Sequence, residues 1–63
     1  MYLVIERSTL TVMRAPTLEM ADRMAESDGL GVEAIAWAIE EYGRCDGNDY
    51  TIIPEGWKER QDR

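Results

Sequence analysis

Residues 31–43 read Gly-Val-Glu-Ala-Ile-Ala-Trp-Ala-Ile-Glu-Glu-Tyr-Gly, and this stretch decides how the rest of the chain is read. Val32, Ile35, Ala36 and Ile39 recur at the i, i+3, i+4, i+7 spacing of one helical face. The spacing predicts a helix from about Val32 to Tyr42, closed by Gly43, which can take the left-handed conformation that ends helices. Its outward side carries Glu33, Trp37, Glu40 and Glu41. Working back from it, Asp28-Gly29 is a stop signal for an earlier helix. That helix is predicted over Leu18 to Ser27, with Thr17 as its N-cap and Leu18, Ala21, Met24 and Ala25 as its buried stripe. Glu19, Asp22 and Glu26 fall on its opposite side.

The flanks read as strands. Tyr2–Glu6 is rich in β-favouring apolar residues, Arg7-Ser8-Thr9 is a turn, and Leu10–Arg14 is a second strand paired antiparallel to the first. Pro16 ends that pairing because it has no N–H to donate. After the second helix, Cys45-Asp46-Gly47-Asn48-Asp49 reads as a loop, and Tyr50–Ile53 as a third strand stopped by Pro54. The tail from Glu55 is polar except for Trp57, and its end from about residue 58 is expected to fray. The expected fold is α+β, in β-β-α-α-β order, with two short helices packed on one face of a small, mostly antiparallel three-stranded sheet. Residues 1–63 form one acidic domain, with no internal repeat or linker.

Composition narrows the function classes. The 63 residues carry 13 acidic and 7 basic side chains and no histidine. The acidity is central: residues 19–55 hold ten acids against only Arg23 and Arg44, while each flank has a net charge of +1. Charge of this kind repels phosphate and anionic lipid, so neither direct nucleic-acid binding nor membrane-surface binding is expected; a basic partner is. With 44% hydrophobic residues the chain is expected to fold. Its size allows only a small core, since a domain of about 60 residues buries roughly 60% of its unfolded surface. A single cysteine, Cys45, forms no internal disulfide, and no signal peptide or apolar run of about 20 residues is read. The expected location is the cytoplasm of a bacterial host cell, and the expected state is a monomer.

Chemistry is disfavoured throughout, and the chain is expected not to be an enzyme. Without histidine, Ser-His and Cys-His nucleophiles are excluded and zinc ligands are too few, so no metal or cofactor is expected. Gly29-Leu30-Gly31 lacks the spacing and lysine of a phosphate loop and reads as a helix–helix turn. Glu40-Glu41 reads as a solvated face rather than a hydrolytic pair, because so small a core leaves little room for a cleft. The Asp46–Asp49 loop lacks the alternating ligands and closing glutamate of a calcium loop. Cys45 follows an acidic helix at its negative end, which disfavours thiolate. The two helices do not read as a DNA-binding pair, because the second offers glutamates where bases and phosphates need Arg, Lys or Asn.

What remains is the acidic face. Glu19, Asp22 and Glu26, three and four residues apart, form one carboxylate row at Cβ separations of about 5–6 Å, and Glu33, Glu40 and Glu41 form another on the helix that follows. Only Glu19–Arg23 and Glu40–Arg44 offer i, i+4 relief of the resulting repulsion. Such a face either serves binding or keeps a small protein soluble. Trp37 lies among these glutamates and reads as an interface anchor or as a packing partner of the tail, Trp57 for example.

A short acidic chain with carboxylate rows on two helices and no catalytic groups resembles the small inhibitors of phages and mobile elements, in particular acidic anti-CRISPR proteins and DNA mimics. The resemblance lies in size, charge and layout. It implies a non-enzymatic inhibitor whose surface mimics DNA and blocks the basic groove of a nucleic-acid-binding defence complex, a CRISPR effector being one such partner. Glu19, Asp22, Glu26, Asp28, Glu33, Glu40 and Glu41 would supply the charge and Trp37 an anchor. The alternative is a small adaptor or subunit docking through an apolar patch around Trp37 or a sheet edge, with acidity serving solubility alone.

Overall fold

The computed structural model of the chain describes residues 1–56. Strand β1 (Tyr2–Glu6) and strand β2 (Val12–Ala15) are followed by helix α1 (Leu18–Met24), a single 3-10 turn (Glu26–Asp28), helix α2 (Val32–Tyr42) and strands β3 (Cys45–Asp46) and β4 (Tyr50–Pro54). The strands form one antiparallel sheet in the order β2-β1-β4-β3. β1 lies in the middle, with Val4 opposite Met13 on β2 and opposite Ile52 on β4.

Directly opposed residues of antiparallel strands point to the same face of the sheet. Val4, Met13 and Ile52 therefore share one face with Cys45, which opposes Ile52 from β3. The helices cover this face, α1 over β1 and β2, α2 over β3 and β4. Val4, Ala15, Ala21, Ala25, Ile35, Cys45 and Ile52 are buried together between the layers. Three of these seven are alanines, which bring α1 close to the strands at little cost in side-chain order. Ile35 and Ile52 are the largest side chains fully buried. Removing such a side chain from water stabilises by about 1.5–3 kcal/mol. Leu3, Ile5, Val12 and Ile53 point the other way, onto the sheet face that neither helix covers.

The predicted second helix is found with the predicted limits, Val32–Tyr42, and Gly43 ends it at φ 82°. Thr17 caps α1 as expected, its Oγ1 accepting from the Met20 amide at 3.2 Å. The first helix is shorter than expected. Ala25 leaves helical geometry at ψ 35°, and Glu26–Asp28 winds on as a 3-10 turn that Gly29 stops at φ 64°. β2 begins at Val12 rather than Leu10, because Leu10 sits at φ 63° inside the hairpin turn, where an extended strand cannot continue. Its amide donates to the Glu6 carbonyl at 2.6 Å.

The sheet has four strands where three were expected. Cys45-Asp46, expected as loop, opposes Ile52 and Thr51 across a three-residue connection, with the Gly47 amide donating to the Tyr50 carbonyl at 2.7 Å. A two-residue strand is too short to leave a periodicity, and the run Asp46–Asp49 reads as loop by composition. Pro54 closes β4 rather than lying beyond it, opposite Tyr2. The expected fraying of the tail and any packing of Trp57 fall outside the described residues.

Candidate functional site

The candidate binding residues divide into two groups. Glu19, Glu26, Glu33, Glu40 and Glu41 are exposed on the helix layer. On the two α-helices 3.6 residues per turn place Glu19 opposite Ala21, and Glu33 and Glu40 opposite Ile35, while Glu26 starts the 3-10 turn, which buries no residue. Glu19 and Glu26 border an open depression that Asp22, Arg23, Gly29, Gly31 and Val32 also line, so the first carboxylate row reaches the start of α2.

Asp22 and Asp28 have internal partners. Asp22 is half-buried, and its Oδ1 accepts from the Gly31 amide at 3.0 Å, at the N-terminus of α2. Gly31 has no side chain to cap that helix, so the carboxylate supplied by α1 does so and faces the positive end of the helix dipole. Asp28 reaches across to the β3–β4 connection, where its two oxygens accept from the amides of Asp49 at 2.8 Å and Tyr50 at 3.1 Å. Ser27 adds a hydroxyl bond to Asp49 at 2.9 Å. Gly47 completes the arrangement: a Cβ there would lie 2.1 Å from Asp28 Oδ2. Side chains at 22 and 28 thus fasten the helix layer together and to the sheet, a use that composition and helical spacing alone do not reveal.

The expected ion-pair relief takes a different form. Arg44 bonds Asp46, with Nη2 and Nε at 3.0 and 3.2 Å from Oδ1, instead of returning to Glu40. A Glu40–Arg44 pair needs the helix to run through residue 44, and Gly43 has already turned the chain away. Arg14 pairs with Glu55 at 3.1 Å. Among the described residues, no arginine comes within ion-pair distance of Glu19, Glu26, Glu33, Glu40 or Glu41.

Asp46 shows how the chain holds a carboxylate it does use. Partial burial alone would raise its pKa, but the Thr51 hydroxyl at 2.8 Å and the Arg44 guanidinium, with Arg7 adding its charge, hold it below the ordinary aspartate value. Burial pushes the Cys45 thiol up, and the negative charges of Asp46 and Asp28 push it further. The direction is the expected one, and negative charge contributes as expected, though from Asp46 and Asp28, while loss of solvent comes first.

Trp37 stands out from α2 at 56% exposure. Tyr42, 68% exposed, meets it edge to face with ring centroids 5.6 Å apart and planes at 85°. Tyr42 was not among the expected site residues. The signal was Gly43, which ends the helix directly after Tyr42 and leaves that ring at an uncovered helix end. Beside the pair runs an apolar groove over Leu30, Ala34, Ala38 and Cys45, bordered by Arg44 and Asp46. Among the described residues, no group of three His, Cys, Asp or Glu side chains is placed to hold a metal ion, and no helix is long and apolar enough to cross a membrane.

Comparison with known proteins finds no matching family model, no similar curated protein and no similar solved structure.

Proposed function

We propose that this protein is a non-enzymatic binding inhibitor whose acidic helix layer occupies the basic nucleic-acid-binding groove of a defence complex, in the manner of an anti-CRISPR DNA mimic. The observation that carries the reading is the set of five exposed glutamates, Glu19, Glu33, Glu40 and Glu41 on the two helices that pack on one face of the sheet and Glu26 on the turn between them. No described arginine is within ion-pair distance of them. Carboxylates carried on packed elements offer charge-assisted bonds to Arg and Lys from a backbone that is already ordered, and their density imitates the charge of a duplex. Asp22 and Asp28 serve the fold, and their contribution to partner binding is indirect.

A second reading has its own support. Leu3, Ile5, Val12 and Ile53 are apolar positions, beside Arg14 and Thr51, on the sheet face that neither helix covers, and Trp37 is exposed, as an adaptor docking through apolar contacts would require. Affinity capture from a bacterial lysate at low and high salt separates the two. The inhibitor reading predicts capture of nucleic-acid-binding machinery that fails at high salt and in the Glu33→Lys/Glu40→Lys/Glu41→Lys variant. Salt-resistant capture that survives the triple reversal would replace it with the adaptor.

A further inference from the structure

We infer that the Trp37–Tyr42 pair is a binding site for an arginine side chain of the protein partner, with an adjoining apolar side chain of the same segment lying in the groove beside it. The inference deepens the inhibitor reading and rests on it for the partner's being a basic protein. Glu33, Trp37 and Glu41 stand at i, i+4 and i+8 along α2, so the indole has a carboxylate about one turn away on either side. An indole face attracts a cation through its quadrupole, and guanidinium does so best because it is planar and weakly hydrated. Tyr42 meets the indole near a right angle, and 56% of Trp37 remains exposed to solvent for a further partner. A guanidinium laid on Trp37 could also bond Glu33 or Glu41, both exposed and without an ion-pair partner among the described residues.

The chain's nearest described cation does not take this place. Arg44 borders the groove, but its guanidinium is bonded to Asp46. The groove over Leu30, Ala34 and Ala38 has a volume of about 390 Å³, room for an aliphatic side chain beside the arginine. Apolar floor, aromatic wall and the two glutamates that flank the indole together select an arginine next to a residue such as leucine. A lysine, a bare point charge, gains less from the ring.

The test titrates the full chain with two labelled peptides, one with an Arg-Leu-Arg core and one with a Lys-Leu-Lys core, followed by fluorescence anisotropy. Emission from Trp37 is read separately in a Trp57→Phe chain, where it is the only tryptophan. The expected result is tighter binding of the arginine peptide, a saturable change in Trp37 emission, and an affinity loss of about 2- to 30-fold in Trp37→Ala that falls on the arginine peptide and removes its advantage. The comparison of the two peptides needs no variant, so it stands even if Trp37→Ala folds poorly. Equal binding of both peptides, abolished by the Glu33/Glu40/Glu41 reversal, would overturn the arginine site while leaving the acidic-surface reading in place. An arginine preference that persists without Trp37 would overturn it too. So would binding that appears only when Lys58, Arg60 and Arg63 are changed to glutamine, since the chain's own end would then hold the site.

Discussion

Asp28→Ala should be among the most damaging surface substitutions in this protein. The Asp28 carboxylate accepts from the amides of Asp49 and Tyr50 at 2.8 and 3.1 Å, and so ties the 3-10 turn to the β3–β4 connection. Hydrogen bonds to a charged acceptor contribute about 1.5–3 kcal/mol each. The Asp49 bond is exposed, so water can replace part of it, whereas the Tyr50 bond is partly buried. Removing the acidic group also relieves repulsion with Asp49, by a few tenths of a kcal/mol. The net expectation is a loss of about 2–4 kcal/mol. A domain of this length has only about 3–9 kcal/mol in total, at ~0.05–0.15 kcal/mol per residue.

Asp28→Asn keeps one acceptor oxygen and should lose about half as much. Gly47→Ala, which drives a methyl group into the same carboxylate, should cost about 1–3 kcal/mol. Urea unfolding followed by circular dichroism gives all three values, and an unchanged slope would place the effect in the folded state. Alanine at 28 and at 47 both within about 0.5 kcal/mol of the parent would refute the fastening role.

Ile35→Ala should cost about 2–5 kcal/mol in the same assay, because Ile35 is fully buried between α2 and the sheet. Cys45 should resist iodoacetamide in the folded protein at mildly alkaline pH and react once urea unfolds it, since burial and two nearby carboxylates disfavour the thiolate; rapid labelling of the native protein would contradict this. Asp46 has a depressed folded pKa, so the unfolded chain binds its proton more readily. Its contribution is therefore complete above the ordinary aspartate value and disappears as pH falls through the lowered folded one. NMR titration of its carboxyl carbon should give a midpoint below that of a model aspartate, moving up in Thr51→Val.

How far the sequence discloses this molecule depends on the range of each signal. Val32–Tyr42 was legible to the residue because eleven positions repeat one spacing between two glycines. Thr17 was legible because capping is a local interaction. The fourth strand was not, since Cys45-Asp46 is a strand only by virtue of Thr51-Ile52 opposite it. The limits of α1 blurred where Ala25, an excellent helix former, yields to the tighter turn that lets Asp28 reach the amides 21 and 22 residues further on. The candidate surface divides the same way. Exposure of Glu33, Glu40 and Glu41 follows from helical period, but the internal bonds of Asp22 and Asp28 depend on chain segments that spacing cannot bring together. Arg44, placed by the same arithmetic beside Glu40, is carried off to Asp46 by the turn at Gly43.

Displacement of DNA shows whether the acidic helix layer occupies a DNA-binding groove. The complex captured from lysate is loaded with a fluorescently labelled duplex and titrated with this protein or with its Glu33→Lys/Glu40→Lys/Glu41→Lys variant, at low and high salt. The expected result is stoichiometric release of the duplex by the unaltered chain at low salt, weakened at high salt and absent with the variant. Release by the variant as effective as by the unaltered chain, or binding of the unaltered chain that leaves the duplex in place, would contradict it.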